Sequence, residues 1–175
     1  MNQIPSWTSE EERAQLRLLA SEVPDGGHIV EIGCLYGGTT CELAIENSKV
    51  HVTTIDDFSW TPDGMPTATP ELAGENLKSC GIGNVHILVG KSADIAKTWK
   101  DPVDLCFIDG GHSYEFVNTD LRSFAKHSQV IALHDYHNPA GWMGVTRAVD
   151  EFLRDNPKWY LDNVVGMIVT LRRLE

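Results

Sequence analysis

The chain has 175 residues, the usual size of one folded domain, so we expect a single domain over residues 1–175. Lys and Arg total 14 against 25 Asp and Glu, which gives a formal net charge of -11. Such an acidic surface repels phosphate backbones and anionic lipid headgroups, which argues against nucleic acid or a membrane as a partner. The four cysteines form no CxxC pair and the first residues do not have the pattern of a signal peptide, so a cytoplasmic location is expected.

The hydrophobic pattern predicts that helices and strands alternate along the chain. Strands are predicted at 28–32, 50–55, 85–89, 103–108 and 130–133, with two final strands around 159–161 and 164–171. Helices are predicted at 9–23, 39–47, 71–80, 91–99, 113–126 and 144–154. Strands that alternate with helices predict a mostly parallel sheet covered on both faces, whereas no helix separates the last two strands, which must form an antiparallel hairpin. The predicted fold is therefore a doubly wound, Rossmann-like α/β fold with seven strands.

Two segments outside this alternation are distinctive. In residues 1–25, Ser9 and Glu12 have the spacing of a capping box, which predicts where the N-terminal helix begins. Residues 58–70 contain three prolines, a glycine and several hydroxyl residues, and are therefore predicted to form a loop. A loop this long in a compact domain is either a lid or active-site loop or a surface insertion.

Ligands of such sheets bind at the carboxyl ends of the strands, where unusual polar residues collect in this sequence. The first strand runs into a glycine turn at 33–39, where glycines allow a ligand to approach the backbone. The dinucleotide fingerprint GxGxxG is absent. Glu31 precedes the turn, where a carboxylate can meet a cationic amino group, and Asp56 ends the second strand, where a carboxylate can bind ribose hydroxyls.

The segment Glu-x-Gly-x-x-x-Gly-Gly-Thr at 31–39 resembles the first motif of class I S-adenosylmethionine-dependent methyltransferases. Asp56 corresponds to the ribose-binding acidic residue of that family, whose last strand is also antiparallel, and Leu35 stands where the fuller motif has a glycine. The resemblance implies S-adenosylmethionine as the cofactor. The cofactor contacts that it implies are Glu31, Gly33, Tyr36, Gly37, Thr39, Asp56, Asp57, Ser92, Ala93 and Asp109.

A second polar cluster is predicted where the fourth and fifth strands end. Asp109 is followed by two glycines and His112, and the fifth strand runs into His134 and Asp135. Because adjacent parallel strands lie about 5 Å apart, Asp109 and Asp135 are expected to converge on one point. Two carboxylates this close either share a proton or hold a hard cation.

These segments resemble a branch of metal-dependent O-methyltransferases that act on macrolide sugars and other small natural products. The resemblance implies a metal site formed by Asp109, His134 and Asp135, and a general base at His112. His134 stands where that branch can have a carboxylate, and an imidazole suits Mn²⁺, Fe²⁺ or Zn²⁺ better than Mg²⁺. The simpler interpretations are that His112 only hydrogen-bonds the turn and that His134 is a buried histidine.

We therefore predict an enzyme that uses S-adenosylmethionine, with a divalent metal such as Mg²⁺ or Mn²⁺, to methylate a hydroxyl of a small molecule. Tyr114 and Trp142, with the loops at 58–70 and 139–144, are candidates for the acceptor pocket. The alternatives are a nicotinamide-dependent oxidoreductase, a non-catalytic protein that binds the cofactor or a metal, and a metal-dependent hydrolase. Assembly into a homo-oligomer is an open possibility.

Overall fold

The computed structural model describes residues 4–140 and 143–174. In this part of the chain seven strands form one sheet: β1 (His28–Ile32), β2 (His51–Asp56), β3 (Val85–Val89), β4 (Val103–Ile108), β5 (Ser128–Leu133), β6 (Trp159–Val165) and β7 (Ile168–Arg173). The same ranges contain six helices: α1 (Glu10–Ser21), α2 (Gly38–Ile45), α3 (Pro70–Ser79), α4 (Ser92–Ile95), α5 (Tyr114–Ala125) and α6 (Met143–Asp155).

The strand order is β3-β2-β1-β4-β5-β7-β6. The first five strands are parallel, and β7 runs antiparallel to both β5 and β6. The predicted fold, a mostly parallel seven-stranded sheet with an antiparallel hairpin at its end, is therefore confirmed. The strand order reverses between β1 and β4, so the carboxyl ends of these two strands flank the point where ligands bind in such sheets.

Apolar side chains from both faces of the sheet form two core clusters. One cluster contains side chains of α5 and α6, including Phe124 and Phe152, and the other contains side chains of α1 and α2, including Leu16 and Leu43. Helix α1 begins as predicted, because Ser9 and Glu12 form the capping box with each other's backbone amides at 3.2 and 2.7 Å. No helix in the described ranges is long and apolar enough to cross a membrane.

Two predicted boundaries, the end of α4 and the hairpin turn, differ from the structure by more than two residues. Helix α4 ends at Ile95 instead of residue 99, because Trp99 turns inward against Phe124 and its indole N–H donates to the carbonyl of Asp101 at 2.9 Å. The hairpin turns at Gly166 instead of residues 162–163, because Gly166 has the left-handed φ of +58° that the tight connection requires.

The proline-rich segment predicted as a loop over 58–70 contains no helix or strand before Pro70. Pro70 itself is the first residue of α3, and the hydroxyl of Thr69 caps that helix by accepting the amide of Leu72 at 3.2 Å. The hydroxyl of Tyr36 donates to the carbonyl of Pro66 at 2.5 Å and so attaches the loop to the glycine turn. Whether the loop acts as a lid stays a prediction.

Candidate active site

The glycine turn joins β1 to α2 in a conformation that few residues other than glycine adopt. Gly33 has a φ of +99° and Gly37 a φ of +86°. A Cβ atom on Gly33 would lie 2.2 Å from the carbonyl oxygen of Asp109, much closer than any real contact. The turn and the carboxyl end of β4 are therefore in direct backbone contact, which brings the two predicted ligand-binding segments together.

Asp56 supports the glycine turn from the end of β2. Its Oδ2 accepts the amides of Cys34 and Leu35, both at 2.8 Å, and its Oδ1 accepts the amide of Phe58 at 2.7 Å. Since a carboxylate has about four acceptor positions, three of them are already used by the backbone. The neighbouring Asp57 is exposed, and hydrogen bonding from Ser59 lowers the pKa of its carboxyl. Ribose binding by either residue stays a prediction.

Glu31 lies beneath the glycine turn, where its side chain is 0% exposed. The hydroxyl of Thr39 donates to Oε1 at 2.6 Å, and those of Thr40 and Thr54 donate to Oε2, the latter at 2.7 Å. Burial raises the pKa of Glu31 to about 7, although the three hydroxyls favour the charged form. The expectation that Glu31 meets a cationic amino group is therefore not supported by this geometry, because both oxygens are engaged and no surface of the side chain is open.

Two further predicted cofactor contacts point toward the protein interior. The ring of Tyr36 is buried beside Trp7, with ring centroids 6.5 Å apart. Ser92 begins α4 and donates to Oδ1 of the buried Asp120 on α5 at 2.5 Å, so its hydroxyl attaches one helix to the other. Burial raises the pKa of Asp120 to about 6 against the effect of this hydrogen bond. Ala93 is half-buried beside Ser92.

The second cluster forms where β4 and β5 end. The ligand atoms of Asp109, His134 and Asp135 all lie within 4.8 Å of one another. Nδ1 of His134 is 3.4 Å from Oδ1 of Asp109 and 3.5 Å from Oδ2 of Asp135. Asp135 has a left-handed φ of +61°, a conformation that aspartate tolerates better than most residues, and Asn138 donates to its Oδ1.

Opposite charges control the ionisation of this cluster. Burial by itself lowers the pKa of His134, but the hydrogen bonds and charges of Asp109 and Asp135 outweigh burial and raise that pKa to about 11. Burial raises the pKa of Asp135, but His134 and His112 lower it below its usual value overall. A positive charge between the two aspartates therefore stabilises both carboxylates.

His112 stands at the opening of the cluster, with its side chain 34% exposed. Its Nε2 lies 3.1 Å from Oδ2 of Asp135 and 3.9 Å from Oδ1 of Asp109. Helix α6 packs closely behind it, because a Cβ atom on Gly144 would lie 2.3 Å from the carbonyl oxygen of His112. The structure therefore brings together four residues that the sequence analysis had selected from two separate segments.

Glu12 is the residue of this site that sequence analysis missed. It lies on α1 with 3% exposure; its Oε1 accepts the amide of Met167 at 2.8 Å, and its Oε2 is 3.5 Å from Nε2 of His134. Burial raises its pKa, but hydrogen bonds from Met167 and Ser9 and the charge of His134 lower the pKa overall. Its position could have shown this, because Glu12 lies four residues before Leu16 and therefore on the side of α1 that faces the core.

The donor set fits a divalent cation of borderline softness. Two carboxylates and one imidazole suit Mn²⁺, Fe²⁺ or Zn²⁺, and the spacing of Asp109, His134 and Asp135 allows one ion to contact all three. Among the described residues, no other group of three acidic, histidine or cysteine side chains is close enough to hold an ion.

The predicted acceptor-pocket residues are only partly described. The hydroxyl of Tyr114 donates to Glu151 at 2.5 Å, and the guanidinium of Arg147 lies 4.2 Å from the centroid of its ring. Tyr114 is thus engaged with the surface of α6, and its place in the acceptor pocket stays a prediction. Trp142 lies outside the described residues. Trp60, in the proline-rich loop, is 63% exposed.

A sequence family described as a methyltransferase domain matches residues 30–136, more than half of the chain. The chain belongs to this family. The prediction of a class I S-adenosylmethionine-dependent methyltransferase is thereby confirmed, and the matched range contains both the glycine turn and the histidine–carboxylate cluster. The predicted alternative of a nicotinamide-dependent oxidoreductase has no support from this match.

Solved structures show the same fold as this methyltransferase at low sequence identity. Cofactor-bound Rv0187 from MTB has a TM-score of 0.78 at 20% identity, and covers 98% of this chain and 84% of that chain. The O-methyltransferase TomG from Streptomyces achromogenes, involved in tomaymycin synthesis and solved with S-adenosylmethionine, has a TM-score of 0.74 at 20% identity, with 96% and 82% covered. The O-methyltransferase NovP has a TM-score of 0.76 at 18% identity, with 94% and 80% covered.

Proposed function

We propose that this methyltransferase transfers a methyl group to a hydroxyl of a small molecule, with a divalent cation and His112 acting at one site. The observation that carries the proposal is the position of His112, whose Nε2 is 3.1 Å from Asp135 at the opening of the Asp109–His134–Asp135 cluster. The backbone contact between Gly33 and Asp109 supports it, because the glycine turn, where we propose that the cofactor binds, is next to this cluster.

Each residue has a distinct task in this proposal. Asp109, His134 and Asp135 would hold the cation, which when bound lowers the pKa of a hydroxyl placed against it. The cofactor, when bound, would supply the methyl group, and His112 would accept the proton that the hydroxyl loses. Asp135 and Asp109 face Nε2 of His112 and stabilise the imidazolium that results.

A small molecule is the acceptor that the charge of the chain favours, because a net charge of -11 opposes the approach of a nucleic acid backbone. The names of the similar structures TomG and NovP, both O-methyltransferases, support transfer to oxygen. We propose a sugar or another hydroxylated natural product as the acceptor.

Calorimetric titration tests the cofactor and the metal before any acceptor is known. We expect S-adenosylhomocysteine to bind, NAD⁺ not to bind, and Mn²⁺ to bind at one site that is lost in Asp135→Ala. Tight binding of NAD⁺ without S-adenosylhomocysteine would overturn the proposal as a whole. If Mn²⁺ does not bind, the metal part fails and His112 alone removes the proton.

A panel of phenolic and sugar hydroxyl compounds then tests the reaction. With an acceptor in hand, His112→Ala should lower turnover on the order of a hundredfold or more, which is the usual effect of losing a positioned base. The affinities for Mn²⁺ and S-adenosylhomocysteine should hardly change. Full activity in excess EDTA would contradict metal assistance, and binding of both ligands without turnover of any compound would favour a non-catalytic protein.

A further inference from the structure

The two nitrogens of the His134 ring face different carboxylates. Nδ1 faces Asp109 and Asp135, the other members of the candidate metal site. Nε2 is buried, has no hydrogen-bond partner in the described part of the chain, and has the carboxylate of Glu12 3.5 Å away, the outer limit of a hydrogen bond. A buried ring N–H without an acceptor is costly, so a small shift that brings Nε2 and Glu12 together is favourable.

This arrangement is the one that metal-binding histidines generally need. A histidine that binds a metal through one nitrogen usually donates its other ring N–H to a carboxylate or carbonyl, which fixes the tautomer and the orientation of the ring. We propose that Glu12 is a positioning residue that accepts the Nε2–H of His134 and thereby directs the Nδ1 lone pair toward a cation shared with Asp109 and Asp135. This inference rests on the metal part of the proposed function.

Glu12 is itself held firmly enough to orient another side chain. The amide of Ser9 donates to its Oε2 at 2.7 Å and the amide of Met167 to its Oε1 at 2.8 Å. Gly166 leaves space for it, because a Cβ atom there would lie 2.6 Å from Oε1. These contacts come from the start of α1 and from the hairpin turn, two parts of the chain far apart in sequence.

The hairpin turn also connects Glu12 to the cluster by a second route. The carbonyl of Met167 accepts the amide of Tyr136, the residue directly after Asp135, at 3.0 Å. Met167 therefore binds Glu12 through its amide and the metal-site segment through its carbonyl. Helix α1 lies outside the matched range of 30–136, so this proposal makes the N-terminal helix part of the site.

The test measures Mn²⁺ affinity by calorimetry in the wild-type chain, in Glu12→Gln and in Ser9→Ala. Glutamine keeps the shape of the side chain and can still accept the amide of Met167, but it has no carboxylate for His134. We expect Glu12→Gln to weaken Mn²⁺ binding 10- to 100-fold, the usual effect of losing such a partner. Ser9→Ala removes the other half of the capping box, so we expect it to lower stability and leave Mn²⁺ affinity within about twofold.

A second measurement does not depend on the variant folding. In the Zn²⁺-loaded wild-type chain with ¹⁵N-labelled histidine, the shifts of His134 should show a metal-bound Nδ1 and a protonated Nε2. A metal-bound Nε2, or equal Mn²⁺ affinity in wild type and Glu12→Gln, would overturn the assignment of Glu12. Failure of the wild-type chain to bind either ion would instead overturn the metal part of the proposed function, and the role of Glu12 with it.

Discussion

Two buried acidic regions lie side by side at the carboxyl end of the sheet, and the protein stabilises them differently. Beneath the glycine turn, Glu31 is surrounded by threonine hydroxyls, and its pKa is raised to about 7. In the neighbouring cluster, Asp135 faces two imidazoles, and its pKa is lowered. A buried carboxylate that has only neutral donors is driven toward its uncharged form, whereas one beside a cationic group stays charged.

The difference assigns different tasks to the two regions. A partly protonated Glu31 that is tied to three hydroxyls stabilises the turn on which the cofactor would lie. The charged cluster of Asp109, His134 and Asp135 can bind a cation and hold a proton, so the chemistry is expected there. Substitutions in the two regions should therefore have different effects on stability and on ligand binding.

The largest expected effect is that of His134→Leu, measured by chemical denaturation in excess EDTA. The variant removes the imidazolium of His134 from the buried carboxylates of Glu12 and Asp135, so the free energy of unfolding should fall by about 3–5 kcal/mol. His127→Leu is the control for the loss of a histidine side chain. Burial and Lys126 lower the pKa of that half-buried histidine, which disfavours its charged form, and its Nε2 has no described partner. A loss below about 1 kcal/mol in His134→Leu would mean that the carboxylates need no cation.

Gly33→Ala tests the close contact between the glycine turn and the carboxyl end of β4. The new Cβ atom would meet the carbonyl oxygen of Asp109, so we expect the free energy of unfolding to fall by about 3 kcal/mol. We also expect calorimetry to show that S-adenosylhomocysteine no longer binds. Gly26→Ala is the matched control, because Gly26 also has a left-handed φ, +81°, but nothing within 4 Å of the added atom. We expect it to lose roughly 1 kcal/mol, the backbone cost alone. Equal losses in both variants would contradict the close contact.

Glu31→Gln tests the neutral-donor region through its pH dependence. The folded-state pKa of Glu31 lies above its usual value of 4.5, so the folded state binds the extra proton between pH 4.5 and about 7. Wild-type stability therefore falls relative to Glu31→Gln as pH rises through this window, by up to about 3 kcal/mol, and the difference is constant above it. Denaturation at several pH values measures it, and a flat difference would contradict the raised pKa.

The same variant sharpens the assignment of Glu31. If the side chain only supports the turn, Glu31→Gln should keep the affinity for S-adenosylhomocysteine within about threefold, as measured by calorimetry. A much larger loss would restore the predicted contact with the cationic amino group.

Thr40→Val should have the smallest effect. It removes one of the three hydroxyls on Glu31 without changing the side-chain shape, so we expect about 1–2 kcal/mol of lost stability. The loss should be larger at pH 8 than at pH 5, because the hydroxyl stabilises the charged form of Glu31. Thr98→Val is the control, since that exposed hydroxyl donates only to a backbone carbonyl of its own turn. Equal losses at both pH values would contradict the role of the hydroxyl.

The sequence by itself determined the order of helices and strands, the hairpin at the end of the sheet, the glycine turn and the convergence of Asp109 and Asp135. These features follow from local information. Hydrophobic periodicity selects helix or strand, glycines mark the turn, and the ends of adjacent parallel strands necessarily meet at one edge of the sheet. The side chains at those ends could therefore be named before their distances were known.

Only the tertiary structure decided what each polar side chain faces. Glu12 was assigned to a capping box, and nothing local showed that folding brings it to Met167, 155 residues away, and to His134. Likewise, Glu31 accepts three threonine hydroxyls beneath the turn and Asp56 accepts backbone amides of the turn, contacts that no local pattern indicated. The physical reason is that a polar side chain is satisfied by whichever donors and acceptors the packed elements bring to it, and packing joins residues that are distant in sequence.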